Sequence, residues 1–226
     1  LTAKFDMTEV LEDQNFNSLH RIVLGISGRD LAAEADEHPE LINKVDAQGR
    51  SALYWATWRS DVDRVKVLLE AGADGTLRDM EGQTALHLTA NTGSAEIARL
   101  LLQSDTCGAL TCLNLQNNSG YCPWHIAVVH GCEAVLAELL QHACDFRLRT
   151  NLGRSILHLA MRFGSLSAAQ HLLKAAPLGA SAEPDHSGKT AADYLDEFHE
   201  GHPSVLSRDS ETVEALGALL DAAVGL

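Results

Sequence analysis

The chain's histidines, its cysteines and one Gly-Lys-Thr run are the residues whose chemistry could define an active site. There are 11 histidines and 5 cysteines. Cys107, Cys112, Cys122 and His125 invite a zinc reading, but the spacings are C-x4-C and C-x2-H, not a pair of metal knuckles. His199 and His202 flank Glu200-Gly201, which is not H-E-x-x-H. Gly188-Lys189-Thr190 has the ending of a phosphate-binding loop. Such a loop needs a glycine five residues earlier, so that backbone can wrap the phosphates, and here that position is Glu183. Four histidines, His20, His87, His125 and His158, recur at matching places in the chain. General acid-base work would require a nucleophile or carboxylate in register with them, and the repeated segment offers none. No catalytic, cofactor or metal constellation is therefore expected.

The regular placing of those histidines has another origin. The stretch Asp79 to Gly93, DMEGQTALHLTANTG, recurs as DAQGRSALYWATWRS from Asp46, NNSGYCPWHIAVVHG from Asn117, TNLGRSILHLAMRFG from Thr150 and DHSGKTAADYLDE from Asp185. The turn glycines are Gly49, Gly82, Gly120, Gly153 and Gly188, at intervals of 33, 38, 33 and 35 residues. A period of this size means a stacked repeat architecture. Within one unit, Asp79 and Gly82 are turn formers. Thr84 is placed to cap the following helix. Leu86 and Ala90 share one helical face, and Gly93 stops the helix. Ile97, Leu100 and Leu101 line one face of a second helix. Two short helices cannot bury that much apolar surface alone, but stacked neighbours can.

These units resemble ankyrin repeats, whose pattern is D-x-x-G-x-T-P-L-H-x-A-x-x-x-G followed by a helix ending L-L-x-x-G-A-D. Gln83-Thr84-Ala85-Leu86-His87, Asp46 to Gly49 and Val67 to Asp74 carry the match, which covers roughly residues 17 to 195. The opening of the chain is also similar to the ankyrin arrays of large fungal proteins. The resemblance implies an all-α solenoid of about six repeats with short β-hairpin-like fingers. The expected layout is one domain: 1–45 as extension and first cap, 46–78, 79–116, 117–149 and 150–184 as central repeats, and 185–226 as last cap. The five extra residues of the third repeat are placed in the loop Ser104 to Cys112. In the last cap, Glu197 to Ser210 is expected as a loop before a helix from Glu211 to about Val224. The family histidine hydrogen-bonds backbone between neighbouring repeats. Asn43 and Asn114 occupy the finger position of family asparagines, a hairpin-bonding role; some family members are hydroxylated there.

The formal charge is −14, with −6 on residues 1–46, −7 on 193–226 and −1 between. Acidic ends suit the polar outer faces that repeat stacks need, and this balance argues against nucleic-acid binding. Hydrophobic content of 46% with 21% charged residues predicts a folded chain. No apolar run approaches membrane-spanning length, so no membrane insertion is expected. The odd number of cysteines fits reduced thiols, hence an intracellular place, cytoplasmic or nuclear. The first residues, LTAKFDMTEV, lack an initiator Met and a signal-peptide core, and read as part of a longer protein.

In the family, residues beside the turn glycine and at the end of the first helix face the concave groove. Here these include Arg50, Trp58 and Arg59 in repeat two, Gln83 and Asn91 in repeat three, and Tyr121, Val129 and His130 in repeat four. Repeat five supplies Leu152, Arg154, Arg162 and Phe163. Trp, Tyr and Arg are enriched at interaction hot spots. The sequence thus points to a non-catalytic, monomeric protein-interaction module. Its partner would be a protein segment, acidic with apolar anchors. A regulatory domain packing on an enzymatic, NTPase or channel domain of the same chain is the alternative. Circular dichroism should show a strongly helical protein; a strand-dominated spectrum would overturn the repeat assignment.

Overall fold

A computed structural model describes residues 14–106, 109–163, 168–169, 183–200, 215 and 217–218. The chain divides into two compact units, one running to Cys112 and one from Leu113. The boundary falls at the end of the third repeat's extra residues.

The first unit contains α1 (Ser18–Val23), α2 (Leu31–Glu37), α3 (Ala52–Trp58), α4 (Val62–Glu70), α5 (Ala85–Thr92) and α6 (Ala95–Gln103), and the short α7 (Ala109–Leu113) ends at the boundary. It is built of helix pairs: α1 with α2, α3 with α4, α5 with α6. The first helices pack in sequence, α1 on α3 on α5, and so do the second helices, α2 on α4 on α6. Leu19, Leu53, Leu86, Val65, Leu68, Ile97 and Leu101 fill the space between the layers, all at 1% exposure or less. The second unit repeats this with α8 (Pro123–Val129), α9 (Glu133–Leu139), α10 (Ile156–Phe163) and α11 (Ala191–Glu200). There α8 packs on α9 and α10, and α10 on α11. Trp124, which replaces the usual Leu, is fully buried.

The capping residues explain where the first helices begin. Asn17 and Ser51 accept the backbone N–H of His20 and Tyr54 through their side chains. Thr84 and Cys122 sit in capping boxes with His87 and His125. Second helices start at Asp30 and Asp61, each carboxylate accepting from the third residue on. Pro39 opens a 3-10 turn after α2.

Fingers between repeats are turns rather than strands. Among the described residues there is no named strand, and the isolated bridge is Val45 with Ser51. In the last repeat α11 continues to Glu200, so Glu197 to Glu200 are helical and not the loop expected there, and the rest of that expected loop, 201–210, lies outside the described residues. The final helix expected from Glu211 lies largely outside the described residues, as do the second helix of repeat five and most of residues 1–14.

Leu101 has no exposed surface and sits where α6 meets the rest of the first unit. Leu101→Ala should cost roughly 2–5 kcal/mol, the range for a buried leucine truncation that leaves a cavity. Urea denaturation reads this directly, and an unchanged midpoint would show that α6 is not packed as described.

Candidate functional site

Every repeat is entered through a residue in the left-handed region. Gly49, Gly82, Gly120, Gly153 and Gly188 have φ between 74° and 81°. Asn15 takes the same place in repeat one with φ 57°, as asparagine tolerates that region best after glycine. Three of these glycines, Gly49, Gly120 and Gly153, are also pressed against the next repeat. A Cβ on Gly120 would lie 2.5 Å from the Asn151 nitrogen, and one on Gly49 3.0 Å from the Arg78 oxygen.

The residue three before the turn holds it closed. The Asp46 carboxylate accepts the N–H groups of Gln48 and Arg50, at 2.8 and 2.9 Å. Asp79 does the same for Glu81 and Gln83, and Asn117 for Ser119 and Tyr121. Consecutive turns are then laced by backbone. Ala47 N–H donates to Gln14 O, Met80 to Gln48 O, Asn151 to Ser119 O, and His186 to Leu152 O, at 2.8–3.1 Å. Asn43 and Asn114 add to the lacing. Asn43 accepts Asp74 N–H at 2.8 Å, and Asn114 accepts Asp145 N–H at 2.9 Å while donating to Ala143 O at 3.1 Å.

The repeated histidines are part of this frame. His158 Nδ1 accepts the Ser155 N–H at 3.2 Å, so its proton is on Nε2, which donates to Lys189 O at 3.1 Å. His20 Nε2 reaches Arg50 O at 2.9 Å, the same turn carbonyl one repeat on. Burial lowers the pKa of His158 and of His20. Where Tyr54 replaces histidine, its hydroxyl donates to the Asp79 carboxylate of the next repeat at 2.8 Å. Burial, then that hydrogen bond, pushes the phenol pKa up.

Burial works against thiolate formation at three of the described cysteines. Burial raises the Cys122 and Cys132 pKa values and pushes Cys144 up to about 12. Neutral thiols are poor nucleophiles and poor ligands. Among the described residues no group of three or more His, Cys, Asp or Glu side chains is placed to hold a metal.

The candidate binding residues separate into those left exposed and those spent internally. In the first unit Trp58 is 55% exposed and meets the half-buried Trp55 edge to face, ring centroids 5.6 Å apart. Arg50 lies 5.2 Å over the Trp55 ring, and Phe16 touches the same ring at 5.9 Å. Arg59 is exposed, with a long 3.4 Å hydrogen bond to Leu24 O. Gln83 donates to Glu81 at 2.9 Å and accepts from Asn91 at 3.4 Å, so these three polar side chains hold one another. In the second unit Tyr121 is half-buried with its ring edge-on to His125, while Val129 and His130 end α8, half-buried and exposed respectively. Leu152 is 52% exposed at its finger turn. Arg162 is exposed over the rings of Phe163 and Tyr194. Arg154 is committed inside the stack: its Nε donates to Tyr194 OH at 3.0 Å and lies 3.5 Å from Asp185. Burial opposes the Arg154 charge, yet hydrogen bonding to Tyr194 leaves its pKa raised.

Trp55 and Tyr194 were not among the sequence candidates, and each is the hub of its cluster. They hold the same register position, six residues after the turn glycine, where other repeats have Leu88, Ile126 and Leu159. Each donates to the turn aspartate of its own repeat, Trp55 to Asp46 at 2.9 Å and Tyr194 to Asp185 at 2.7 Å. An aromatic donor at an otherwise aliphatic position was the available signal.

Helix pairs locked through glycine turns define a helical-repeat protein. The comparisons place it more closely: residues 48–80 match the family "Ankyrin repeat" and residues 75–150 "Ankyrin repeats (3 copies)", so residues 48–150 are ankyrin repeats. Such repeats are protein-interaction modules. The chain is 32% identical over 134 residues to neurogenic locus notch homolog protein 1 of Mus musculus, covering 59% of this chain and 5% of that protein. It is 36% identical over 112 residues to the B-cell lymphoma 3 protein homolog of Mus musculus, 49% of this chain and 25% of the relative. It is 27% identical over 171 residues to the E3 ubiquitin-protein ligase KEG of Arabidopsis thaliana, 71% of this chain and 10% of the relative. The matched part is thus a quarter or less of each relative's length. Among the described residues no helix is long and apolar enough to cross a membrane.

His158 sets a pH dependence. Its pKa is lowered on folding, so between the folded and unfolded values the unfolded chain binds the extra proton and stability falls as pH falls. Melting temperature should therefore drop between pH 7.5 and 5.5, and His158→Gln should reduce that drop while lowering stability at pH 7.5. A drop as steep in His158→Gln as in wild type would remove this imidazole as a cause.

Proposed function

We propose that this chain is a non-catalytic interaction module that holds a segment of a partner protein along its finger turns and the C-terminal ends of its first helices. One observation carries the proposal. Trp58 keeps more than half its surface exposed while its ring is fixed against Trp55. A rigid, exposed tryptophan beside arginines is the kind of anchor that dominates binding energy. Leu152 and Phe163 add exposed apolar surface in the second unit. The basic side chains beside these anchors, in a protein of charge −14, suit an acidic segment with one or two apolar residues. The same charge argues against nucleic acid as partner. Free thiols at Cys112, Cys122, Cys132 and Cys144 fit a reducing compartment, cytoplasmic or nuclear. The module acts as a monomer in this reading.

A second reading is supported by the relatives' greater length. In it the same surface packs on a neighbouring enzymatic, NTPase or channel domain of its own chain and regulates it.

A pull-down with wild-type protein identifies the partner, and calorimetry then compares variants. Trp58→Ala should weaken binding by at least about 1–2 kcal/mol and leave the melting temperature within a few degrees. Equal affinity for both proteins would move the recognition surface elsewhere.

A further inference from the structure

Arg50 and Arg154 each follow the turn glycine of their repeat, so the fold presents them equivalently. Their own repeats differ, Tyr54 and Trp55 against His158 and Leu159, and so does the following repeat. Arg154 meets Tyr194 of the following repeat, and through it Asp185: Nε donates to the phenol at 3.0 Å, and the phenol donates to the carboxylate at 2.7 Å. The residue in Tyr194's register after Arg50 is Leu88, which has no polar atom to offer. The two turn carboxylates of the region are also spent. Asp46 serves the N–H groups of Gln48 and Arg50 and the Trp55 indole. Asp79 serves Glu81, Gln83 and the Tyr54 hydroxyl. Arg50 Nε is consequently buried without a hydrogen-bond partner among the described residues, and the guanidinium is held over the Tyr54 and Trp55 rings at 5.7 and 5.2 Å.

We infer that Arg50 is a subsite for a side-chain carboxylate of the bound segment, whose neighbouring apolar residue seats on Trp58. This rests on the interaction-module reading above and names the chemistry of its first-unit partner. Asp185 supplies the template, since Arg154 in the same register pairs with a carboxylate, directly at 3.5 Å and through the Tyr194 hydroxyl. Arg50 as a residue is half-buried, not enclosed, and a carboxylate is the acceptor that a guanidinium bonds most strongly. The Tyr54 and Trp55 rings fix the guanidinium beforehand, so little is lost in ordering it. Trp55 also meets Trp58 at 5.6 Å, which places the apolar seat beside the charge.

Phage-displayed short random peptides, panned on wild type, Arg50→Gln, Arg50→Lys and Trp58→Ala, test this. Wild type should enrich Asp or Glu at a fixed spacing from an aromatic or aliphatic residue. Arg50→Gln should lose the acid preference and keep the apolar one; Arg50→Lys should retain it weakly, having charge without the planar fork. The best wild-type peptide is then resynthesised with its acid changed to the amide. Fluorescence anisotropy at low salt should show about a tenfold loss on wild type, and almost none further on Arg50→Gln. The amide change leaves the protein intact, so a folding defect cannot mimic it. Equal losses on wild type and Arg50→Gln would overturn the Arg50 subsite while leaving the module standing. Enrichment of apolar motifs without acids would do the same. Failure of wild type to enrich any motif would overturn the module reading itself.

Discussion

The tight turn at the mouth of each repeat is the constraint on which the rest depends. One residue must take a positive φ, and it must do so where the following repeat presses against it. At Gly120 a single methyl group would collide with the Asn151 backbone. With the turn set, the aspartate or asparagine three residues earlier closes it, the N-cap two residues later starts the helix, and backbone N–H groups reach the previous turn. Helix packing then follows, because the turns fix the axial spacing at which apolar faces meet. Backbone polar groups at the fingers, which would otherwise lie unpaired between layers, are satisfied by the lacing.

Much of this was legible because the required chemistry is narrow. Few residues accept the turn conformation, few cap a helix, and the histidine must join its own helix start to the next repeat's backbone, as His20 and His158 do. Gly49 to Gly188, Ser51, Thr84 and the four histidines could therefore be placed from type and spacing. Asn15 and Ser60 escaped that logic. Both adopt positive φ, 57° and 55°, at positions where other repeats carry glycine. Tyr54 looked like a departure from the pattern, yet its hydroxyl reaches the next repeat as the histidine does, ending on a carboxylate instead of a carbonyl. A longer side chain with one donor does the task of a shorter ring with two polar atoms.

The candidate site was less legible, since register fixes where a side chain starts and not what it meets. Trp58, Leu152 and Phe163 are apolar groups at turn and helix-end positions, and each keeps substantial exposure. Arg154 satisfies the same positional rule, but its side-chain exposure is only 18%. The decisive residue lies 40 positions away in the sequence, at Tyr194. Asp185 explains why the commitment is firm. Burial alone would favour its neutral form, but hydrogen bonds from Ser187, Tyr194 and Lys189 outweigh that and hold its carboxyl well below the usual carboxylate range. The charge Arg154 faces is thus maintained by the turn itself.

Departures from the repeat pattern are therefore where this chain becomes specific. Trp55 and Tyr194 replace aliphatic residues and gain a donor; in both repeats the turn aspartate takes the bond. In the last repeat this builds a closed relay, arginine to phenol to carboxylate, which stabilises a stack end. Repeat two has the same arginine and an aromatic hub, but Leu88 follows where the phenol would be, and the relay is open. Leu88 is the usual aliphatic residue of that register, so Arg50 lacks the phenol that Tyr194 gives Arg154. A repeat fold can acquire a recognition point in this way without altering its backbone: it withholds from one unit the internal partner that it grants to another.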